Sequence, residues 1–349
     1  MVKHLMANSM DMKILKTASL SIAALALAST VSSADMLDKV KKADVLKCGV
    51  STGIPGFSTA DSKGVWKGLD VDFCKSVAAA VLGDSSKVKY IPMTAKERFV
   101  ALASGEIDVL SRASTWTATR DISLGVTFAG VNYYDGQGFL VNKKLGVKDA
   151  SELDGATFCI QAGTTTELNL TDYFKANKME YKAVTYDTSG QTGDGFKKGR
   201  CDAITSDASQ LAGIRSKMSN PAGYEILPTI ISKEPLGPVV RQGDDQWFNI
   251  VKWTMIATIQ AEESGVTKQN VDSKMKSNNP SVQRLLGVSG KTGVHLGLDN
   301  KWAYRIVKQV GNYGQSYDEH VGKNSPLEIP RGLNKLWNKG GLMYPMPIR

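Results

Sequence analysis

Gly105-Glu106-Ile107-Asp108-Val109-Leu110-Ser111 decides the fold. A glycine stops a helical run, a turn follows, and a short apolar strand ends on a hydroxyl. Upstream, Val45–Val50 and Val88–Pro92 read as strands, a helix runs through Val77–Leu82, and another spans Ala95–Ser104. Strand, helix, strand, helix, strand predicts an α/β protein with a largely parallel sheet.

The same unit returns as Gly199-Arg200-Cys201-Asp202-Ala203-Ile204-Thr205. Both copies read Gly-x-x-Asp-apolar-apolar-hydroxyl. Either a common turn–strand unit recurs by chance, or two α/β lobes of similar build face each other. Around the second copy, residues 155–161 and 181–186 read as further strands. Two extended stretches, Gly138–Val141 and Gly237–Val240, are candidate crossings between lobes. The expected organisation is residues 1–34 as a signal peptide, 35–138 with 239–349 as a discontinuous lobe 1, and 139–238 as lobe 2. The helical, turn-rich tail within 239–349 suggests no chemistry. Gly290-Lys291-Thr292 is not a phosphate loop, because Leu285 stands where that motif needs glycine.

Lys13 and Lys16 precede an apolar run over Leu20–Ala28, and Ser32-Ser33-Ala34 ends in small residues. That is the pattern of a secretory signal cleaved after Ala34, with Met1 or Met12 as the start. The run is too short to span a bilayer, which takes about 20 apolar residues. The predicted mature chain has 315 of the 349 residues, enough for two cores. Formal charge is +9, and the first 34 residues hold three lysines and one aspartate, which leaves +7. No block of five basic residues and no RNA-binding aromatic signature occurs, which argues against nucleic acid.

All four cysteines, Cys48, Cys74, Cys159 and Cys201, lie in the exported part. An even count in an oxidising compartment favours disulfides over free thiols. Of the three pairings, Cys48–Cys74 with Cys159–Cys201 is the local one and the one expected. Without a CxxC pair or a nearby histidine, no metal site is expected, and no cofactor motif is present.

Ligand chemistry gathers where strands end, as open α/β sheets arrange it. After the first copy comes Ser-Arg-Ala-Ser-Thr-Trp-Thr-Ala-Thr-Arg-Asp, residues 111–121. Hydroxyls closed by Arg120 suit a carboxylate. The same residues also suit a helix cap and a surface ion pair. In the second half, Gly163-Thr164-Thr165-Thr166-Glu167 places Thr164 and Glu167 at capping-box spacing. A helix N-terminus there can add N–H groups to a carboxylate. Asp207, just past the strand at 203–205, answers an ammonium or caps the next helix.

Together these stretches resemble the periplasmic amino-acid-binding proteins of ABC importers, the polar amino-acid group, and most of all its general L-amino-acid binders. Carrying the resemblance are Lys67–Phe73, Ser111–Asp121, Tyr133–Gly138, Gly163–Leu170 and Ile231–Pro238. It implies a two-lobe fold of the type II periplasmic-binding kind, with two hinge crossovers. It implies that Arg120 holds the ligand carboxylate with Thr115, Thr164 and Thr165, that Ala113 and Ser114 offer backbone groups, and that Asp207 holds the ammonium. Arg112 stands where many relatives carry a small residue and adds a second charge. Ile54 stands where a tyrosine is common, Ala95 replaces a bulky residue, and Phe57 and Trp116 are the remaining nearby aromatics. A less aromatic pocket fits broad recognition of free L-amino acids.

The expectation is therefore a monomeric, non-catalytic periplasmic receptor that hands free L-amino acids to an inner-membrane permease. The alternative is a cyclohexadienyl dehydratase-like enzyme on the same fold, which needs a positioned acid or base such as Asp207 or Glu167. A sensor lobe of a signalling receptor would need a fused membrane or output segment.

Overall fold

A computed structural model describes residues 35–349. The signal-peptide reading, including cleavage after Ala34, falls outside the described residues. In chain order the strands are β1 Leu46–Ser51, β2 Thr59–Ala60, β3 Trp66–Lys67, β4 Val88–Met93, β5 Val109–Leu110, β6 Val126–Phe128, β7 Tyr133–Asp135, β8 Gln137–Asn142, β9 Thr157–Gln161, β10 Lys182–Tyr186, β11 Ala203–Asp207, β12 Tyr224–Ile226, β13 Glu234–Leu236 and β14 Val239–Arg241. Helices are α1 Met36–Ala43, α2 Leu69–Leu82, α3 Arg98–Ser104, α4 Ala118–Ser123, α5 Thr165–Ala176, α6 Ser189–Lys197, α7 Ala208–Ser216 and α8 Asp245–Glu263, followed by a helical extension.

Two five-stranded sheets form, ordered β4-β1-β5-β14-β6 and β10-β9-β11-β8-β12. In each, three parallel strands are followed by antiparallel ones. The repeated unit is real at the level of hydrogen bonds. Gly105 and Gly199 both turn with positive φ, 82° and 68°. Asp108 then pairs with the backbone of Lys47, accepting its N–H on the carboxylate and donating its own N–H to the carbonyl, both at 2.9 Å. Asp202 does the same to Thr157, both at 2.8 Å. The aspartate in each copy locks the third strand against the start of the first.

The crossings differ from expectation. Gly138–Val141 lies inside β8 of the second sheet, and Val239 and Val240 begin β14 of the first. The strands that pass between the sheets are β7 and β13, a few residues earlier on each side, paired antiparallel with Asp135 opposite Glu234. Such a ribbon satisfies backbone groups that two bare crossing segments would leave unpaired. Gly237 is required beside it, because a Cβ there would come within 1.8 Å of the Gly130 carbonyl oxygen.

Cys48 is bonded to Cys74 and Cys159 to Cys201, as expected, one bridge per sheet. Trp247 and Ile250 of α8 are buried in the first lobe's core, with Trp302 and Tyr317 from the extension. The second lobe has its own apolar clusters around Phe158 and Phe139 and around Leu140 and Ile204. Among the described residues no helix is long and apolar enough to cross a membrane.

Candidate functional site

Strand ends from both lobes meet around one cavity. Ile54, Arg98, Arg112, Ala113 and Thr115 line it from the first lobe. Gln161, Thr164, Thr165, Thr166, Ser206, Asp207 and Gln210 line it from the second. The lobes touch at its mouth, where the Thr115 and Thr165 hydroxyls are 3.3 Å apart and Lys96 pairs with Asp187 at 2.9 Å. Gly163 allows this approach: its φ is 75° and a Cβ would stand 2.8 Å from the Lys96 side chain.

Asp207 ends β11 at the start of α7, where an aspartate ordinarily caps. It accepts no capping hydrogen bond. Asp135 takes that work, accepting from the Ser209 backbone N–H at 3.3 Å and from the Ser209 hydroxyl. The Asp207 carboxyl is thereby left free in the cavity wall, 8% exposed. Burial, then the Asp135 and Glu234 charges, push its pKa well above the usual carboxylate range, against the pull of Arg98 and Arg120. A buried acid without a partner favours its charged form only when a cation arrives.

Opposite stand three arginines. Arg98 and Arg112 are each 2% exposed, and the Arg98 Nε and Arg112 Nη2 atoms have no hydrogen-bond partner among the described residues. Arg112 donates its Nε–H to the Met93 carbonyl at 3.2 Å. Burial lowers the Arg112 pKa to about 10, with Asp70 opposing. Arg98 is lowered well below its ordinary value by burial and by the Arg112 and Arg120 charges. Like charges this close are stable only with nearby anions. Arg120 stands just behind Thr115: its Nη1 donates to the Thr115 carbonyl at 2.8 Å, and its guanidinium lies 5.2 Å from the Phe99 ring centre. Burial lowers its pKa, while Glu234 and Asp207 favour its charge.

Ile54, Arg112, Ala113, Thr115, Thr164, Thr165 and Asp207, named from sequence, thus share one cavity wall. Arg120, Ser114 and Phe57, also named from sequence, lie outside that wall, Arg120 behind Thr115. The Ser114 hydroxyl donates to the Arg112 carbonyl, and Phe57 packs edge-on against Tyr133. Capping readings hold for two threonines: Thr117 caps α4, and Thr164 caps α5 by accepting from the Glu167 N–H. The Glu167 carboxylate turns to the Gly163 N–H instead of completing a box.

Sequence reasoning missed Arg98, hidden in an unremarkable helix start, and Glu234. The latter is 1% exposed and gathers hydroxyls from Thr115, Thr165 and Ser232 and the amide of Asn169. It ties both lobes to the crossing ribbon. Its place in the Ile231–Pro238 stretch, next to a crossing, was the available signal.

The family model for bacterial extracellular solute-binding proteins, family 3, matches residues 46–269. The chain belongs to this family. Among curated members, the general L-amino acid-binding periplasmic protein AapJ of Rhizobium johnstonii is 54% identical over 96% of this chain and 99% of its own. The glutamate/glutamine/aspartate/asparagine-binding protein BztA of Rhodobacter capsulatus is 52% identical over 94% of this chain and 98% of its own. Among solved structures, an ABC transporter / periplasmic binding protein from Brucella ovis with glutathione bound is 53% identical. It covers 90% of this chain and 100% of its own, with a TM-score of 0.89. The two-lobe periplasmic-binding fold expected from the sequence is therefore the fold of this family 3 protein.

Proposed function

We propose that this family 3 protein is the periplasmic receptor of an amino-acid ABC importer, exported by residues 1–34 and working as a monomer. It captures free L-amino acids between its lobes, here taken as 35–135 with 234–349 and 136–233, and delivers them to an inner-membrane permease. The carrying observation is the uncapped Asp207 carboxyl facing arginines across a buried cavity.

A zwitterion supplies what each wall lacks. Its ammonium pairs with Asp207. Its α-carboxylate takes the Arg120 fork, the Thr115 hydroxyl and the N–H groups at the start of α5, a charge-assisted set. Arg98 and Arg112 then remain for acceptors on the ligand side chain, so glutamate, aspartate and their amides are favoured within a broad range. Among the described residues, no aromatic ring lines the cavity, so nothing there stacks to select one side-chain shape. The dehydratase alternative lacks histidine support. His295 and His320, the two histidines after residue 34, are in the extension, and His320 is bonded to Asp72.

The test is thermal melting of refolded, ligand-stripped protein against the twenty L-amino acids, glutathione, D-amino acids and sugars. A ligand at 100 times its Kd adds about 2.7 kcal/mol. Shifts with many L-amino acids, largest for glutamate and glutamine, are expected. Shifts with sugars or D-amino acids alone would overturn the reading.

A further inference from the structure

The extension, residues 270–349, lies beyond the stretch that the family model matches. It binds the crossing ribbon directly. Tyr134 is the middle residue of β7 and lies opposite Pro235, which has no N–H to offer. The Tyr134 backbone groups therefore point away from β13, to the open edge of the ribbon. There the buried side chain of Asn334 meets both: the Tyr134 N–H donates to Oδ1 at 2.7 Å, and Nδ2 donates to the Tyr134 carbonyl at 3.0 Å. One amide side chain thus serves as a third strand.

Asn334 is itself held. Arg331 donates to the Asn334 carbonyl at 2.9 Å, pairs with Glu262 of α8 at 3.0 Å, and covers the Tyr317 ring. Tyr317 stacks on Tyr133 of the same ribbon, and the Tyr313 hydroxyl donates to the Asn132 carbonyl at 2.9 Å. Toward the second lobe the extension is not bonded. Residues Leu327–Asn334 face Ala208, Ala212 and Ile226 across a groove. Among the described residues, no hydrogen bond or ion pair joins 270–349 to 136–233.

We infer that Asn334 is a positioning residue for ligand capture. By fastening Tyr134 to the first lobe, it confines lobe rotation to the Asp135–Gly136 end of β7 and its partner end of β13. Asp135 immediately follows Tyr134 and holds Ser209 at the start of α7, next to Asp207. Loosening Tyr134 therefore loosens the seat of the ammonium partner without touching any group in the cavity wall. The inference rests on the proposed opening and closing of the lobes around a ligand.

The test compares Asn334→Ala with Gln309→Ala in the full mature protein. Gln309 makes an equivalent pair of bonds far from the ribbon, donating to the Gly83 carbonyl at 2.8 Å and accepting from the Ser85 N–H at 2.6 Å. Both variants lose two extension-to-lobe bonds. Small-angle scattering of ligand-free protein should show a larger radius of gyration for Asn334→Ala alone. L-glutamate should dissociate several-fold faster from that variant, with association changed less than twofold. Asn334→Asp keeps the acceptor and loses the donor, and should fall between; it carries the test if the alanine variant does not fold. Equal radii and equal dissociation rates in Asn334→Ala and Gln309→Ala would overturn the inference. Scattering needs no ligand, so a wild type that ignores L-glutamate would sink the proposed ligand class and leave the hinge result standing.

Discussion

Asp207→Asn should weaken ligand binding and strengthen the empty protein at once. The substitution is nearly isosteric and takes away one charge. No helix cap is lost, since Asp135 and not Asp207 supplies the side-chain contact at the start of α7. In the empty protein the carboxyl is buried among Asp135 and Glu234, which raise its pKa along with burial. Holding protonated an acid that ionises freely when unfolded costs about 1–3 kcal/mol, and asparagine removes that cost. For a chain of this size that is a melting shift of roughly 2–5 °C upward. In the complex the balance reverses. An asparagine carbonyl still accepts from an ammonium, without the Coulomb attraction, and the loss of a buried charge partner costs about 3 kcal/mol. That is roughly a 150-fold rise in Kd. Calorimetric titration with L-glutamate, beside melting of the stripped protein, reads both. The wild type should also release protons on binding, because the arriving cation lowers the raised pKa of Asp207, so its affinity rises with pH. The variant should not. A variant that binds as tightly as wild type, or that melts lower when empty, would refute the assignment of Asp207 as a free carboxyl awaiting a cation.

Three further outcomes follow from the same geometry. Replacing Cys159 and Cys201 together by alanine opens a bridge of sequence separation 42; chain entropy puts the loss at about 4 kcal/mol, and chemical denaturation should show it, whereas a loss below about 1 kcal/mol would place the bridge's effect elsewhere. Asp70 is 3% exposed, and burial raises its pKa to about 6 against the opposing Ser111 and Ala113 hydrogen bonds. An acid raised in the folded state destabilises it as pH climbs from about 4 through 6, by up to roughly 3 kcal/mol; wild-type stability relative to Asp70→Asn should fall over that window, and parallel pH profiles would contradict it. Arg98→Gln should raise the Kd for glutamate about tenfold or more while changing that for alanine less than threefold, since the alanine methyl brings no acceptor to the unpaired Arg98 nitrogen; equal losses for both ligands would put Arg98 on the α-carboxylate instead.

Much of the site was legible because its chemistry is local. Thr164 caps α5 and Thr117 caps α4 through residues three positions away, and that spacing is written in the chain. The repeated Gly-x-x-Asp unit was legible for the same reason. Its aspartate reaches a neighbouring strand, but the turn that aims it lies within the unit. Arg98 was illegible because its role comes from burial beside Arg112, a proximity between helix α3 and the loop after β5 that no spacing encodes.

The sequence by itself determined the α/β order, the pairing of the sheets' disulfides by proximity, and the strand ends at which polar groups collect. Alternation of apolar runs with glycine turns is a local property, and it survives without knowledge of the partner. Only the tertiary structure decided which acids and bases remain unsatisfied. Asp207 is free because Asp135, 72 positions earlier, takes over its cap. The crossings moved to β7 and β13 because a paired ribbon needs partners from both ends of the second lobe. Asn334 reached that ribbon only because the extension folds back over the first lobe. Each is a choice of partner between distant residues, and partners of that kind are set by packing.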